Sequence, residues 1–436
     1  MRFNWHPKAK IITAGGEANF NDLRLHQKCH HQESCSLSTI HSVNACSSTP
    51  NTLLELFSSL DFSPHFRIAS KQFNQLQTPH CDSSQIVPHV TDQPCFVVPS
   101  GGTSGYPKQI LRTHQSWIKS FTMNTQLWPI AADEKYGLLG DITHSITLFG
   151  ALEGIHLGKE VYLLKPYRPK TQLEIIQRAG ITLLYATPVQ LGLLTRVFDS
   201  SHLSPITSVK RIIVGGSNLS SLMREQLLDV FPEAQIIAFF GSTEASFVAF
   251  TSEATPEGSV GTAYPEVRID CVETNDVPAT VGKTGRIRVH SPFVGLGTVT
   301  ELGFKPFKGV CFTGEIGFFD QQSNLYISGR SDRMFTTSDV NIFPEEIETY
   351  FLQIPNIVGA YVYPLVNSIR GQSIEACLFV GKNRIDVSQI LKQCRQELGS
   401  HKTPKTVHVM NGSPPLLPSG KPNLNKIRAL IGRNTP

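Results

Sequence analysis

The sequence predicts an α/β fold, with a large N-terminal domain of doubly wound sheets plus a β subdomain, followed by a small, mobile α+β C-terminal domain. Three observations lead there. From Cys95 to Glu244, short apolar, β-branched runs alternate with helix-like segments. From roughly Ser259 to Arg330 helical periodicity gives way to short alternating runs, the pattern of an antiparallel β subdomain. After Asp332 helical and extended segments mix again, which places a boundary near Ser331 to Arg333 and domains at 1–331 and 332–436.

The elements follow in order. Strands are expected at CFVV, EVYLL, ITLLYA, RIIVGG and QIIAFF. Between them, Thr171 with Glu174 reads as a capping box ahead of LEIIQRA, Pro188 suits a first helical turn, and Ser220 suits the cap of SLMREQLLDVF. The β subdomain takes VRIDCVE, GRIRVHS, GFFD and LYISG. In the C-terminal part FPEEIETYFLQ and VSQILKQCRQEL read as helices, GAYVYPL and EACLFVG as strands. The first ninety residues, rich in Ser, His, Gln and Asn, carry no strong local signal.

Composition narrows the class of partner. The 436 residues suit two domains, and 39 Lys plus Arg are dispersed against 35 Asp plus Glu, without the basic tract that marks nucleic-acid binding. No apolar run approaches the ~20 residues of a membrane span, and the N-terminus lacks a signal-peptide core, so a cytoplasmic protein is expected. Nine scattered cysteines in a chain this long point to reduced thiols. His26, Cys29, His30, His31 and Cys35 are types that bind zinc, but their spacing matches no regular finger or ribbon, and an ordinary polar segment is the expectation.

Chemistry concentrates in a few short stretches. SGGTSGYPK follows the strand CFVV, at the carboxyl end of a strand, where α/β sheets present ligands. Gly101, Gly102 and Gly105 let the backbone approach an anion, Ser100, Thr103 and Ser104 add hydroxyls, and Lys108 adds a cation. It is not the common P-loop, because Pro107 and Gln109 flank that lysine, and no GxGxxG fits the glycines. A phosphate loop and a structural turn both remain open on these residues alone. In AFFGSTEAS, Gly241 permits a tight turn and Glu244 offers a carboxylate of the kind that Mg²⁺ beside a triphosphate requires; Phe240 suits an adenine ring and Thr243 a phosphate. The bland alternative is a glycine turn with a surface Glu. Glu315, Arg330, Asp332 and Lys421 fall in further short motifs that are weak one by one.

Taken in order, these segments resemble the adenylate-forming superfamily of acyl- and aryl-CoA synthetases, stand-alone adenylation enzymes and luciferases. SGGTSGYPK resembles the family's phosphate loop TSGTTGxPK, GGS at Gly215, Gly216 and Ser217 its adenine-contacting turn, and FGSTE its YGxTE. TGE resembles TGD, GRSDRMFTTSDVNIFPEEIE the domain-hinge segment, and LPSGK the C-terminal lysine motif. The resemblance runs from about Cys95 to the C-terminus.

It implies a two-step reaction: a small carboxylic acid attacks the α-phosphorus of Mg·ATP to give an acyl-adenylate and pyrophosphate, then a thiol, most often that of CoA, takes the acyl group. It also implies roles. Ser100, Gly102, Thr103, Ser104, Gly105 and Lys108 would grip the β and γ phosphates, with Thr103 and Glu244 at the Mg²⁺ and Thr243 near the α-phosphate. Gly215, Gly216, Ser217, Phe240 and Gly241 would line the adenine, Glu315 and Arg330 would hold the ribose, and Asp332 would be the hinge. Lys421 would bridge the carboxylate and the α-phosphate. His144 resembles the gate beside the acyl pocket, against the alternative of a satisfied core histidine. Phe149, Phe239, Phe247, Ser217 and His144 are the pocket candidates.

Three departures stand out. Glu315 replaces the usual Asp and lengthens the reach by one methylene. Asp339 replaces a glycine that in relatives lies along the pantetheine tunnel, which questions the acceptor and opens a second reading, delivery to the phosphopantetheine of an acyl carrier protein. The phosphate loop begins only about a hundred residues into the chain, so an abbreviated N-terminal subdomain is expected, as in compact aryl-acid and succinylbenzoate-type ligases. An amino-acid substrate, which would need an aspartate near Asp141 or Ile142, and a degenerate nucleotide-binding protein are the remaining alternatives. A monomer or homodimer is expected.

Overall fold

In the computed structural model, the described residues are 9–13, 16–19, 41–44, 65–69, 93–100, 108–200, 203–216, 219–300, 303–337, 340–367, 371–381, 384–416 and 422–434. By internal contacts the chain divides into two compact units, Met1–Ile269 with Val289–Thr313, and Asp270–Arg288 with Gly314–Pro436.

The first unit holds a nine-stranded sheet. Its spatial order is Thr262–Ala263, Ser246–Phe250, Gln235–Ser242, Arg211–Gly215, Leu183–Ala186, Lys135–Leu138, Glu160–Leu163, Lys10–Thr13 and Gly16–Asn19. The strands from Gln235–Ser242 to Lys10–Thr13 pair in parallel, and antiparallel strands close both margins. Glu160–Leu163 and Leu183–Ala186 flank Lys135–Leu138 on opposite sides, so the chain leaves that strand first one way and then the other. Such a reversal opens a crevice at the carboxyl ends of the strands.

Helices cover both faces of this sheet, and strand alternation shows how. Leu184 joins a core with Leu173, Ile176, Leu191, Leu194 and Leu227 from helices Pro169–Ala179, Pro188–Asp199 and Ser221–Val230. Tyr185, its neighbour, points the other way to Phe149 on helix Ser145–His156. Ser220 caps its helix as expected, its Oγ accepting from Met223 N at 3.2 Å, and Pro188 opens the helix before it. The capping box at Thr171 is not formed. The N-cap is Arg168 and Pro169 takes the first turn, because proline's fixed φ is already helical there.

A second, six-stranded sheet in the same unit runs Gly303–Pro306, Gly297–Thr300, Lys108–Thr113, Cys95–Ser100, His65–Ala69, His41–Asn44. The expected β subdomain is thereby divided. The hairpin at 297–306 pairs with Lys108–Thr113, Gly297 opposite Leu111, Thr262–Ala263 joins the nine-stranded sheet, and the remaining strands of that region form a separate sheet.

In the second unit lies most of a four-stranded sheet, Arg268–Val272, Gly285–His290, Val310–Phe319 and Leu325–Arg330. The C-terminal residues form a three-stranded sheet, Ile357–Asn367, Gly371–Val380 and Thr406–Asn411. Ala376 and Leu378 face a core with Ile347, Phe351 and Ile390, from helices Pro344–Leu352 and Val387–Leu398. Cys377 and Phe379 face Ile427 and Ile431 of helix Leu424–Asn434. Among the described residues no helix is long and apolar enough to cross a membrane.

Candidate active site

Three of the singled-out segments lie at the carboxyl end of the nine-stranded sheet. His144 is the half-buried N-cap of helix Ser145–His156, just after strand Lys135–Leu138. Gly215 ends its strand opposite Phe239, and Gly216 follows with φ at +101°, a backbone that disfavours any side chain. Strand Gln235–Ser242 carries Phe240 and Gly241 and turns at once into Ser246–Phe250, with Ser242 opposite Ser246. Thr243, Glu244 and Ala245 are therefore the tip of a tight hairpin.

Gly241 is required by that hairpin, since a Cβ there would lie 2.2 Å from the Ser246 carbonyl oxygen. The Glu244 side chain makes no hydrogen bond or ion pair among the described residues, while its carbonyl accepts from Gly295 N at 2.8 Å. Among the described residues no cluster of three or more His, Cys, Asp or Glu is built to hold a metal. A lone carboxylate nevertheless suits Mg²⁺ that arrives on a nucleotide and completes its shell with phosphate oxygens and water.

The anion loop joins two strands. Cys95–Ser100 and Lys108–Thr113 pair antiparallel with Ser100 opposite Lys108, and Thr113 Oγ1 then caps helix His114–Leu127 through Ser116 N at 3.1 Å. Ser100 is buried and Lys108 exposed, at the carboxyl end of the parallel strands His65–Ala69 and Cys95–Ser100. Gly102, Thr103, Ser104 and Gly105, with Ser217, Asp339 and Lys421, lie outside the described residues, as do His26, Cys29, His30, His31 and Cys35.

Sequence reasoning missed one residue of this region, Arg112. It is fully buried. Its Nη1 donates to the carbonyls of Thr243 at 2.5 Å and Glu244 at 3.1 Å. Its Nη2 donates to Ser246 Oγ at 2.7 Å and to the Phe293 carbonyl, and its guanidinium lies 5.5 Å from the Trp117 ring centroid. Burial pulls its pKa down to about 10, so it stays charged at neutral pH. The available signal was an arginine next to the apolar pair Ile110 and Leu111 in KQILRT.

The pocket candidates separate by burial. Phe149 and Phe247 belong to the core, their ring centroids 5.2 Å apart, whereas Phe239 is half-buried and stacks on Phe247 at 4.1 Å. Phe239 also lies against Gly215, where an added Cβ would come within 2.5 Å of its ring. Asp141 is engaged by its own chain: it accepts from Thr143 N at 3.0 Å and pairs with Lys165 Nζ. Burial raises its pKa, but these partners hold the carboxyl below its usual value.

In the second unit Glu315 and Arg330 are brought together on adjacent strands. Arg330 Nη1 lies 2.9 Å from Glu315 Oε1, and its Nε 2.8 Å from Asp332 Oδ1. Arg333 is tied instead to Glu345 at 3.0 Å and Glu348 at 2.6 Å. Ser331 and Asp332, both exposed, thus sit between two arginines anchored to different elements.

Within one unit, a doubly wound sheet carries a carboxylate hairpin at its carboxyl edge and a second sheet carries the Gly/Ser/Thr-rich stretch between Ser100 and Lys108, the parts of a nucleotide-using α/β enzyme. Residues 12–298 match the AMP-binding enzyme family and residues 346–421 its AMP-binding enzyme C-terminal domain, and the chain belongs to this family. A Bacillus subtilis protein named an uncharacterized acyl-CoA ligase is 32% identical over 337 residues, 76% of this chain and 67% of that one. The chloroplastic/peroxisomal 2-succinylbenzoate-CoA ligase of Arabidopsis thaliana is 26% identical, over 77% of this chain and 66% of its own. The chain spans about two thirds of the length of the curated relatives it matches, 64% in one of them. ATP-bound MatB from Rhodopseudomonas palustris shares the fold with a TM-score of 0.79 at 17% identity, covering 98% of this chain and 96% of that one.

Proposed function

We propose that this chain joins a small carboxylic acid to ATP, giving an acyl-adenylate and pyrophosphate, and then passes the acyl group to the thiol of CoA. The observation that carries this reading is the Ser242–Ser246 hairpin, whose tip offers an unengaged carboxylate at the sheet edge that also bears Gly215 and Gly216.

Within this reading, Ser100, Gly102, Thr103, Ser104, Gly105 and Lys108 hold the β and γ phosphates. Glu244 and Thr103 hold Mg²⁺, which when bound neutralises charge on the phosphate oxygens. Thr243 lies by the α-phosphate, and Gly215, Gly216, Ser217, Phe240 and Gly241 border the adenine. Glu315 accepts from ribose hydroxyls and Arg330 donates to them. Lys421 offsets the negative charge that grows as the carboxylate oxygen attacks the α-phosphorus. His144 borders the acid, Asp332 is the hinge of a C-terminal domain at 332–436, and Asp339 lies on the thiol path. The enzyme works in the cytoplasm.

The Asp141–Lys165 pair disfavours an amino-acid substrate, because the carboxylate that would bind an α-ammonium already has a cation. Asp339 favours a second reading for the acceptor alone, the phosphopantetheine of an acyl carrier protein. ATP–pyrophosphate exchange across a panel of alkyl and aryl acids tests the first step, and exchange with none of them overturns the reading. Thiolation assays with CoA and with a holo carrier protein, run in parallel, decide the acceptor.

A further inference from the structure

We infer that Arg112 is a positioning residue for nucleotide binding, fixing the Thr243–Glu244 turn at a set distance from the phosphate-loop lysine. The inference rests on the reading of Glu244 as the carboxylate of the Mg·ATP site.

Lys108 and Arg112 stand on one strand, at its first and fifth residues. Side chains two and four apart on a strand share a face, and four residues span roughly 13 Å. The strand therefore carries two cations on one side: an exposed lysine at its start and a buried guanidinium further along. The guanidinium grips mostly main chain. It takes the carbonyls of Thr243 and Glu244 through one nitrogen, and Ser246 Oγ with the Phe293 carbonyl through the other.

The arrangement is reinforced from the helix that follows the strand. Trp117 donates its Nε1–H to the same Ser246 Oγ at 3.0 Å, and its ring packs beside the guanidinium. Gly295 N adds a donor to the Glu244 carbonyl at 2.8 Å. A planar, always-charged fork is suited to hold several acceptors at once, and a lysine in its place keeps the charge but loses the fork. Because the contacts to Thr243 and Glu244 are to their carbonyls, those two positions are held whatever their side chains, while Ser246 is held through its own hydroxyl. The strand sets the spacing between the lysine and the carboxylate turn of the proposed site.

The test is ATP–pyrophosphate exchange with the full chain in three variants, Arg112→Lys, Ser246→Ala and Glu244→Gln. A positioning role predicts that Arg112→Lys raises KM for Mg·ATP and the half-saturating Mg²⁺ concentration by about tenfold or more, and Ser246→Ala by about threefold, while KM for the acid moves by less than about twofold. A role confined to folding lowers the melting temperature or kcat in these variants and leaves both nucleotide constants where they are; that result overturns the inference. If Arg112→Lys does not fold, Ser246→Ala decides alone. An effect in Glu244→Gln without one in the other two removes the positioning role and keeps the site. No effect on the nucleotide constants in Glu244→Gln removes the reading of the site itself, and the inference with it.

Discussion

Glu315 and Arg330 face one another as partners across antiparallel strands, with 2.9 Å between Oε1 and Nη1. A carboxylate already bonded to a guanidinium is held in place before any ligand arrives, which reduces the ordering that binding must supply. Glu315→Ala is expected to raise KM for ATP about tenfold, the scale of one charge-assisted hydrogen bond. It should also shrink the preference for ATP over its 2′,3′-dideoxy analogue. A preference that survives the substitution intact would show that the ribose hydroxyls are held elsewhere.

Lys421→Ala is expected to slow adenylate formation by at least ~10²-fold, as when one preorganised electrostatic contact is lost. Pyrophosphate exchange reads this step directly. An unchanged exchange rate removes Lys421 from the mechanism.

Gly241→Ala drives a Cβ into the Ser246 carbonyl oxygen, 2.2 Å away, and both are backbone positions that cannot swing aside. A loss of about 1–3 kcal/mol is expected from overpacking at this site, visible in the denaturation midpoint, together with weakened Mg·ATP binding. Wild-type stability in the variant would mean that the hairpin tip is looser than its register indicates.

Glu153 gives a pH signature. It is buried beneath the aromatic cluster and its carboxyl is pushed up to about 7, by burial above all, while donors from Tyr185 at 2.6 Å and Asn124 at 2.7 Å pull the other way. Its ordinary value is 4.5. Between those two values the folded chain keeps a proton that the unfolded chain has released. Its contribution to stability is thus fully present below about pH 4.5 and is lost as pH rises through about 7, a change of roughly 3 kcal/mol. Urea midpoints at pH 5 and pH 8 should differ by less in Glu153→Gln than in the wild type. Equal differences would contradict the burial of an ionisable carboxyl.

The sequence made some of this legible for local reasons. Helix Val387–Leu398 coincides with its expected segment because an Asp cap and apolar periodicity agree there. The Gly241–Glu244 turn was readable because its glycine is needed by the backbone itself. Arg112 was not, because the carbonyls it holds at Thr243 and Glu244 are main-chain atoms more than 130 residues away and leave no mark on the sequence nearby. The partner of Gly297–Thr300 was hidden for a related reason: a period of two identifies a strand but not the sheet it joins. Aromatic type likewise did not separate Phe239 from Phe149 and Phe247, since all three could line a pocket or fill a core.

The pairing of Lys10–Thr13 with Glu160–Leu163 bears on how the chain comes to be folded. Ala9 and Ile11 are buried, yet the strand that completes their surroundings is synthesised about 150 residues later. Contacts so distant along the chain form slowly. A nascent chain that has not yet reached Glu160 exposes an unpaired apolar edge, a place where other chains can attach. Residues 10–13 thereby wait for a partner strand about 150 residues further along the chain.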